Sequence, residues 1–136
     1  MQPTPVITHV IRLKPGQDLQ QEIESYVKQN QIEAGWIATC VGSLTQTHLR
    51  FANQLDGTTL NGHVEIVSLA GTLSLNGSHL HLCVSNSAGQ TTGGHLLPGC
   101  LVYTTAEIVI SESKELVFTR EKDGSTPWEE LQIKKK

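Results

Sequence analysis

His63-Val64-Glu65-Ile66-Val67-Ser68-Leu69-Ala70-Gly71-Thr72-Leu73-Ser74-Leu75, then Asn76-Gly77, then Ser78-His79-Leu80-His81-Leu82-Cys83-Val84-Ser85-Asn86 reads as two β-strands joined by a two-residue turn. Asn-Gly supplies the positive φ angles a tight hairpin needs, and both flanking runs are rich in strand-forming residues. Gly71 interrupts the first run and is expected to mark a bulge or bend. Successive side chains on a strand point to opposite faces. His79 and His81 therefore share one face of the returning strand, and Leu80, Leu82 and Val84 share the other.

Working outward, residues 6–13 are apolar and β-rich, and Lys14-Pro15-Gly16 ends them with turn chemistry. Asp18 is placed to cap a helix running to about residue 30. Leu19, Ile23, Tyr26 and Val27 fall on one helical face and leave Gln20, Glu22, Glu24 and Lys28 toward solvent. Residues 32–41 predict a strand with Trp36, Ala38 and Cys40 on one face and Ile37 and Val41 on the other. Gly42-Ser43 is expected to break it before a short strand over residues 44–51. Residues 53–62 and 87–94 read as loops, and residues 101–111 form a long strand that pairs with residues 115–120 across Glu112-Ser113-Lys114. The sum is an α+β fold, a mostly antiparallel sheet of about seven strands with one main flanking helix. At 136 residues the chain is expected to be a single domain, with its core over residues 6–120 and a C-terminal extension over residues 121–136.

Charged residues make up 17% of the chain, against about 25% for an average soluble domain. A small domain with so little charge is expected to hide surface by self-association. The formal net charge of −3 argues against autonomous, charge-driven binding to nucleic acid. Of ten Lys and Arg residues, three stand together as Lys134-Lys135-Lys136, so the rest of the chain is distinctly acidic. Cys40, Cys83 and Cys100 are widely spaced and odd in number, and no apolar run approaches membrane-spanning length. These features predict a cytoplasmic protein with reduced thiols and no membrane partner.

Two imidazoles at positions i and i+2 of one strand can converge on one ion. His95, closing what reads as the glycine turn Gly93-Gly94-His95, would complete a three-histidine set with an open fourth position. Spacing leaves two readings of the pair open, a metal site or two structural imidazoles. Cys83 shares the same alternation face and is either a further ligand or a core-filling thiol. Glu65 and Glu107 each interrupt an apolar strand. Each is either a solvent-facing residue of an alternating strand or a carboxylate that supports an imidazole or moves protons. His9, His48 and His63 lack a partner at useful spacing, and no phosphate-loop or nucleophile-elbow motif is present.

The run Gly62-His63-Val64-Glu65-Ile66-Val67-Ser68-Leu69-Ala70-Gly71-Thr72-Leu73 resembles the Gly-Arg-Phe-Glu-Ile-Leu-Ser-Leu-x-Gly core of the PPC (plant and prokaryote conserved) domain. His79-Leu80-His81, Gly93-Gly94-His95-Leu96 and Ala106-Glu107-Ile108-Val109-Ile110 follow in the family's order. Arg12-Leu13-Lys14-Pro15-Gly16-Gln17-Asp18-Leu19 and Ile37-Ala38-Thr39-Cys40-Val41-Gly42-Ser43-Leu44 also fit, so the resemblance covers residues 6–120. It implies an antiparallel sheet with a flanking helix, a homotrimer, and His79, His81 and His95 as ligands of zinc or another divalent transition metal. It also implies partner contacts at Gly62, His63, Val64, Glu65, Ile66 and Val67, although His63 and Val64 depart from the family's Arg and Phe there. In plant members an AT-hook grips DNA; no Arg-Gly-Arg-Pro occurs here, so DNA association would need a separate partner.

The leading expectation is a cytosolic homotrimeric binding module with a three-histidine metal site. Its nearest rival is a zinc-dependent hydrolase or lyase acting on a small anionic substrate, with Glu65 or Glu107 moving protons.

Overall fold

The computed structural model describes residues 2–136. Its elements in chain order are β1 (Val6–Leu13), α1 (Leu19–Gln29), β2 (Gly35–Arg50), β3 (Thr58–Leu73), β4 (His79–Ser85), β5 (Thr91–Leu96), β6 (Leu101–Ser113), β7 (Leu116–Glu121) and β8 (Glu130–Lys135). Six strands form one sheet in the order β1-β6-β2-β3-β4-β5, and β7 and β8 form a separate two-stranded sheet. Every strand pairing is antiparallel. The expected α+β architecture is borne out, with eight strands and one helix among the described residues.

Asp18 caps α1 as expected: its Oδ1 accepts from the Gln21 backbone N–H at 3.0 Å, and its Oδ2 accepts from the Gly99 N–H at 2.6 Å. One side chain thus starts the helix and pins it to the loop before β6. Leu19, Ile23 and Val27 are buried against the inner face of the sheet, in a core with Leu44, Leu49, Leu73, Leu82, Leu96, Ile108 and Ile110.

Bulges decide which residues reach that core. The β2–β6 register shifts between Ile37 and Thr39, so Ile37 and Cys40 are both buried while Val41 is 55% exposed. The expected grouping of Ile37 with Val41, opposite Cys40, is therefore wrong: one extra residue at Ala38 inverts the alternation. A second shift, between Ile66 and Ser68, does the same in β3, and Ile66 and Leu69 both point inward. Gly71, by contrast, pairs in register with Leu80. It is required for close approach, because a Cβ there would overlap the His79 carbonyl oxygen.

Four further expectations need correction. Gly42-Ser43 does not break β2; the strand runs through Gly42, where a Cβ would strike the Thr105 carbonyl oxygen of β6. Residues 58–62 belong to β3 rather than to a loop. Residues 91–94 belong to β5, so Gly93-Gly94-His95 is strand, not turn. Finally, β7 does not return along β6. Its Phe118 N–H donates to the Glu33 carbonyl at 2.9 Å, and it pairs with β8, contributed by the C-terminal extension.

β5 has a special position. It pairs with β4 on one side and touches the far end of β2 on the other, through Leu49↔Leu96 and Arg50↔His95. Strands β2, β3, β4 and β5 thereby close on one another at this end of the sheet. Gly94 lets the strands meet, since a Cβ there would lie 2.7 Å from the Arg50 carbonyl oxygen.

Candidate metal centre

The closure aligns a row of side chains on the outer face of the sheet. Ala70 of β3 lies opposite His81 of β4, His81 opposite His95 of β5, and His95 opposite Arg50 of β2. One step along, Thr72 lies opposite His79. The β4 alternation holds: Leu80, Leu82 and Val84 are buried, and His79 and His81 are exposed.

The three histidines come together. One ring nitrogen from each of His79, His81 and His95 lies within 4.8 Å of the other two. The His79 and His81 Nε2 atoms are 3.2 Å apart. The rings are mutually inclined, with centroids 4.9, 5.4 and 6.0 Å apart. Ligand nitrogens about 2.0–2.1 Å from a tetrahedral zinc ion stand about 3.3 Å apart. The first pair already meets that spacing, and the His95 nitrogen lies within 4.8 Å of both.

The donor chemistry fits an ion as well. Two Nε2 atoms facing each other make one hydrogen bond at best, whereas an ion takes a lone pair from each. The buried His95 Nδ1 has no hydrogen-bond partner, an unmet demand of the kind that marks a ligand position. Burial, then the Arg120 charge, then neighbouring His81 and Arg50 hold the His79 pKa below its ordinary value, against an opposing pull from Glu130. Burial, then Arg50, then His79 and His81 lower that of His95. Both shifts favour the neutral ring, the form that binds metal.

The surroundings come from places the sequence did not advertise. A hollow of about 340 Å³ beside the cluster is lined by Ala70, Gly71, Thr72, His79, His81, Arg120, Glu130 and Leu131. Arg120 of β7 donates from Nη2 to Thr72 Oγ1 at 2.7 Å. Its backbone N–H donates to Asn76 Oδ1 in the β3–β4 turn. The C-terminal hairpin is thereby fastened against the edge of the histidine site. Only the acidic and basic residue types themselves hinted at this, because strand pairing between residues so distant leaves no local pattern.

Other candidates lie elsewhere. Glu65 and Glu107 are exposed and line a separate groove of about 530 Å³ together with Gly42, Ser43, His63 and Tyr103. Neither belongs to the histidine cluster. Cys83, half-buried two residues beyond His81, is also outside it and packs beside Gly93. Within the stretch 62–67, Gly62, His63, Glu65 and Val67 face solvent, Val64 is half-buried, and Ile66 is in the core. The His63 ring stacks edge-on against Tyr103, with centroids 4.0 Å apart.

Fold and cluster together define a small antiparallel β domain carrying a three-histidine site able to hold a metal ion. The family signature described as the Plants and Prokaryotes Conserved (PCC) domain matches residues 2–114. The chain belongs to that family. It is 49% identical over 125 residues to the Bifunctional protein GlmU of Synechococcus sp. (strain JA-3-3Ab), a match covering 92% of this chain and 20% of that protein. The chain thus spans about a fifth of the length of the curated relatives it matches. A solved hypothetical protein from Salmonella is 44% identical, with a TM-score of 0.96, over 98% of this chain and 97% of its own. A metal-containing protein from Archaeoglobus fulgidus is 22% identical, with a TM-score of 0.81, over 97% of this chain and 99% of its own. At that identity the likeness shows the fold alone.

Proposed function

We propose that the chain is a self-associating, cytoplasmic binding module built around a metal centre held by His79, His81 and His95. The convergence of three imidazole nitrogens within 4.8 Å carries this reading, and the name of the Archaeoglobus protein is consistent with it. Zinc suits the donor set, as do other divalent transition metals that accept imidazole. When bound, such an ion would supply a Lewis acid with an open position. The chain's own residues favour the neutral form of His79 and His95 and orient the imidazoles along one cross-strand row.

A homotrimer suits the outer surface. Val10, Val41 and Val67 are 71%, 55% and 56% exposed on strands β1, β2 and β3 of the sheet, apolar surface that self-association would cover. The groove along His63, Val64 and Glu65, within the stretch from Gly62 to Val67, is the proposed partner surface. A DNA-associated role would need a partner to supply the positive charge this chain lacks.

A zinc-dependent hydrolase or lyase acting on a small anion is the second reading, favoured by the open hollow beside the cluster. In it, Glu130 is the carboxylate beside the histidines, and Glu65 and Glu107 would act only on something held in the other groove. Cobalt(II) substitution of untagged protein tests the metal reading. Intense visible bands of a four-coordinate ion, lost in His79→Ala with His81→Ala, are expected; the weak spectrum of hydrated cobalt in wild type would refute it.

A further inference from the structure

Two guanidinium groups flank the histidine cluster, and among the described residues neither makes an ion pair with a carboxylate. Arg50 adjoins His95 across the β5–β2 ladder. Arg120 lines the same hollow as His79 and His81, where Thr72 Oγ1 holds its Nη2 at 2.7 Å. Arg50 donates only to the Gln54 carbonyl, at a long 3.4 Å. The guanidiniums come from strands far apart in sequence, and both are half-buried at the rim of one site.

Unpaired arginines are an unexpected choice around a centre for a dication, because all three charges repel. Negative charge joining such a set relieves that repulsion. Glu130 is the one carboxylate lining the hollow, and its Oε1 already accepts from Thr126 Oγ1 at 2.7 Å. One carboxylate does not balance two guanidiniums and a divalent ion. Arginine's planar fork matches the oxygens of a carboxylate or phosphate. The open coordination position of a three-histidine ion accepts an oxygen of the same group.

We propose that Arg50 and Arg120 clamp a small oxyanion, a phosphate or carboxylate group, over the three-histidine centre, with one of its oxygens directed at the ion's open position. The proposal rests on the metal reading above and names the class of ligand the centre receives. Arg120 approaches from the β7–β8 hairpin and Arg50 from the end of β2, so the anion bridges the hairpin to the main sheet. Thr72 is a positioning residue, acting through the Arg120 guanidinium.

The test uses untagged full-length chain loaded with zinc and freed of excess metal. Zinc per chain is measured first, and inorganic phosphate and acetate are then titrated by calorimetry. Wild type is expected to hold one zinc and bind one of the two anions. Arg50→Gln and Arg120→Gln should each weaken that binding at least about tenfold, a loss of about 1.4 kcal/mol, with zinc content unchanged. Arg50→Lys and Arg120→Lys, which keep the charge without the fork, should recover only part of it. By linkage, the favoured anion must also tighten zinc retention against a chelator by the factor by which zinc tightens binding of that anion. A preference for phosphate or for acetate assigns the oxyanion class, and either supports the clamp. Zinc retained with no anion binding, or binding equal in wild type and all four variants, would overturn the clamp and leave the metal centre standing. Failure of wild type to retain zinc would overturn the metal reading itself.

Discussion

His81 and His95 stand directly opposite each other across the β4–β5 ladder. Directly paired residues hold their Cβ atoms about 4.5–5.5 Å apart, so the pairing alone brings the two imidazoles within reach of one ion. His79 joins because it is two residues from His81 on the same strand face. The site therefore depends on backbone register, and substitutions that shift register should damage it from a distance.

Gly71 is the sharpest such position. It lies opposite Leu80, and a Cβ there would run into the His79 carbonyl. Gly71→Ala should cost about 3 kcal/mol of stability, the upper end for forced overpacking, and should lower metal content as well. Gly16→Ala is the control: its φ of +84° also disfavours a side chain, though less than the +144° of Gly71, and nothing lies within 4 Å. It should cost only about 1–2 kcal/mol. Urea unfolding of both variants checks the difference.

Much of this was legible in the sequence. The capped helix, the antiparallel return of β3 into β4 and the alternation along β4 are local patterns, and each stands where spacing puts it. The turn itself is longer than the expected two residues: residues 74–78 lie outside both strands, and Gly77, not Asn76, takes the positive φ. The errors share one physical cause. Bulges at Ala38 and Val67 invert alternation without any residue that announces them. β5 was hidden because Thr91-Thr92-Gly93-Gly94 lacks a hydrophobic alternation; Gly93 and Gly94 are there for backbone approach to Leu82 and Arg50. For the site, the three histidines could be named, but Arg50, Thr72, Arg120 and Glu130 reach it only through long-range pairing.

Glu112 offers a second test, away from the histidine cluster. Its carboxylate is 1% exposed, 2.8 Å from His9 Nε2 and 2.7 Å from Lys114 Nζ, and His9 Nδ1 lies 2.9 Å from the Tyr26 hydroxyl. Burial alone would raise its pKa, but the hydrogen bonds from Lys114 and His9 prevail and lower it. A carboxyl lowered on folding adds stability above its unfolded pKa and loses it as the pH falls through the folded value. Wild type should lose stability below about pH 4.5 more steeply than Glu112→Gln, while the variant should be about 1–3 kcal/mol weaker at pH 7. Denaturation midpoints from pH 7 to pH 3 measure both slopes.

The histidines predict a dependence in a different window. With folded pKa values of His79 and His95 below their ordinary 6.5, the unfolded chain takes up protons that the folded chain refuses. Stability of metal-free protein is thus fully present above 6.5 and falls as the pH drops below it. His79→Ala with His95→Ala should flatten the slope between pH 7 and pH 5 in thermal melts.

Self-association makes a separate claim on the outer sheet face. Light scattering should give three times the chain mass of 14.8 kDa, and Val41→Asp, at a position 55% exposed in the single chain, should give one chain mass with an unchanged circular dichroism spectrum. A wild-type mass of 14.8 kDa at working concentration would count against the trimer.

The central claim is that His79, His81 and His95 act together on one ion, and zinc titration of untagged, metal-free protein by calorimetry tests it most directly. One zinc per chain is expected in wild type, with affinity falling at least about a hundredfold, or about 2.7 kcal/mol, in each of His79→Ala, His81→Ala and His95→Ala. Equal zinc binding by wild type and all three variants, or no binding by any of them, would contradict it.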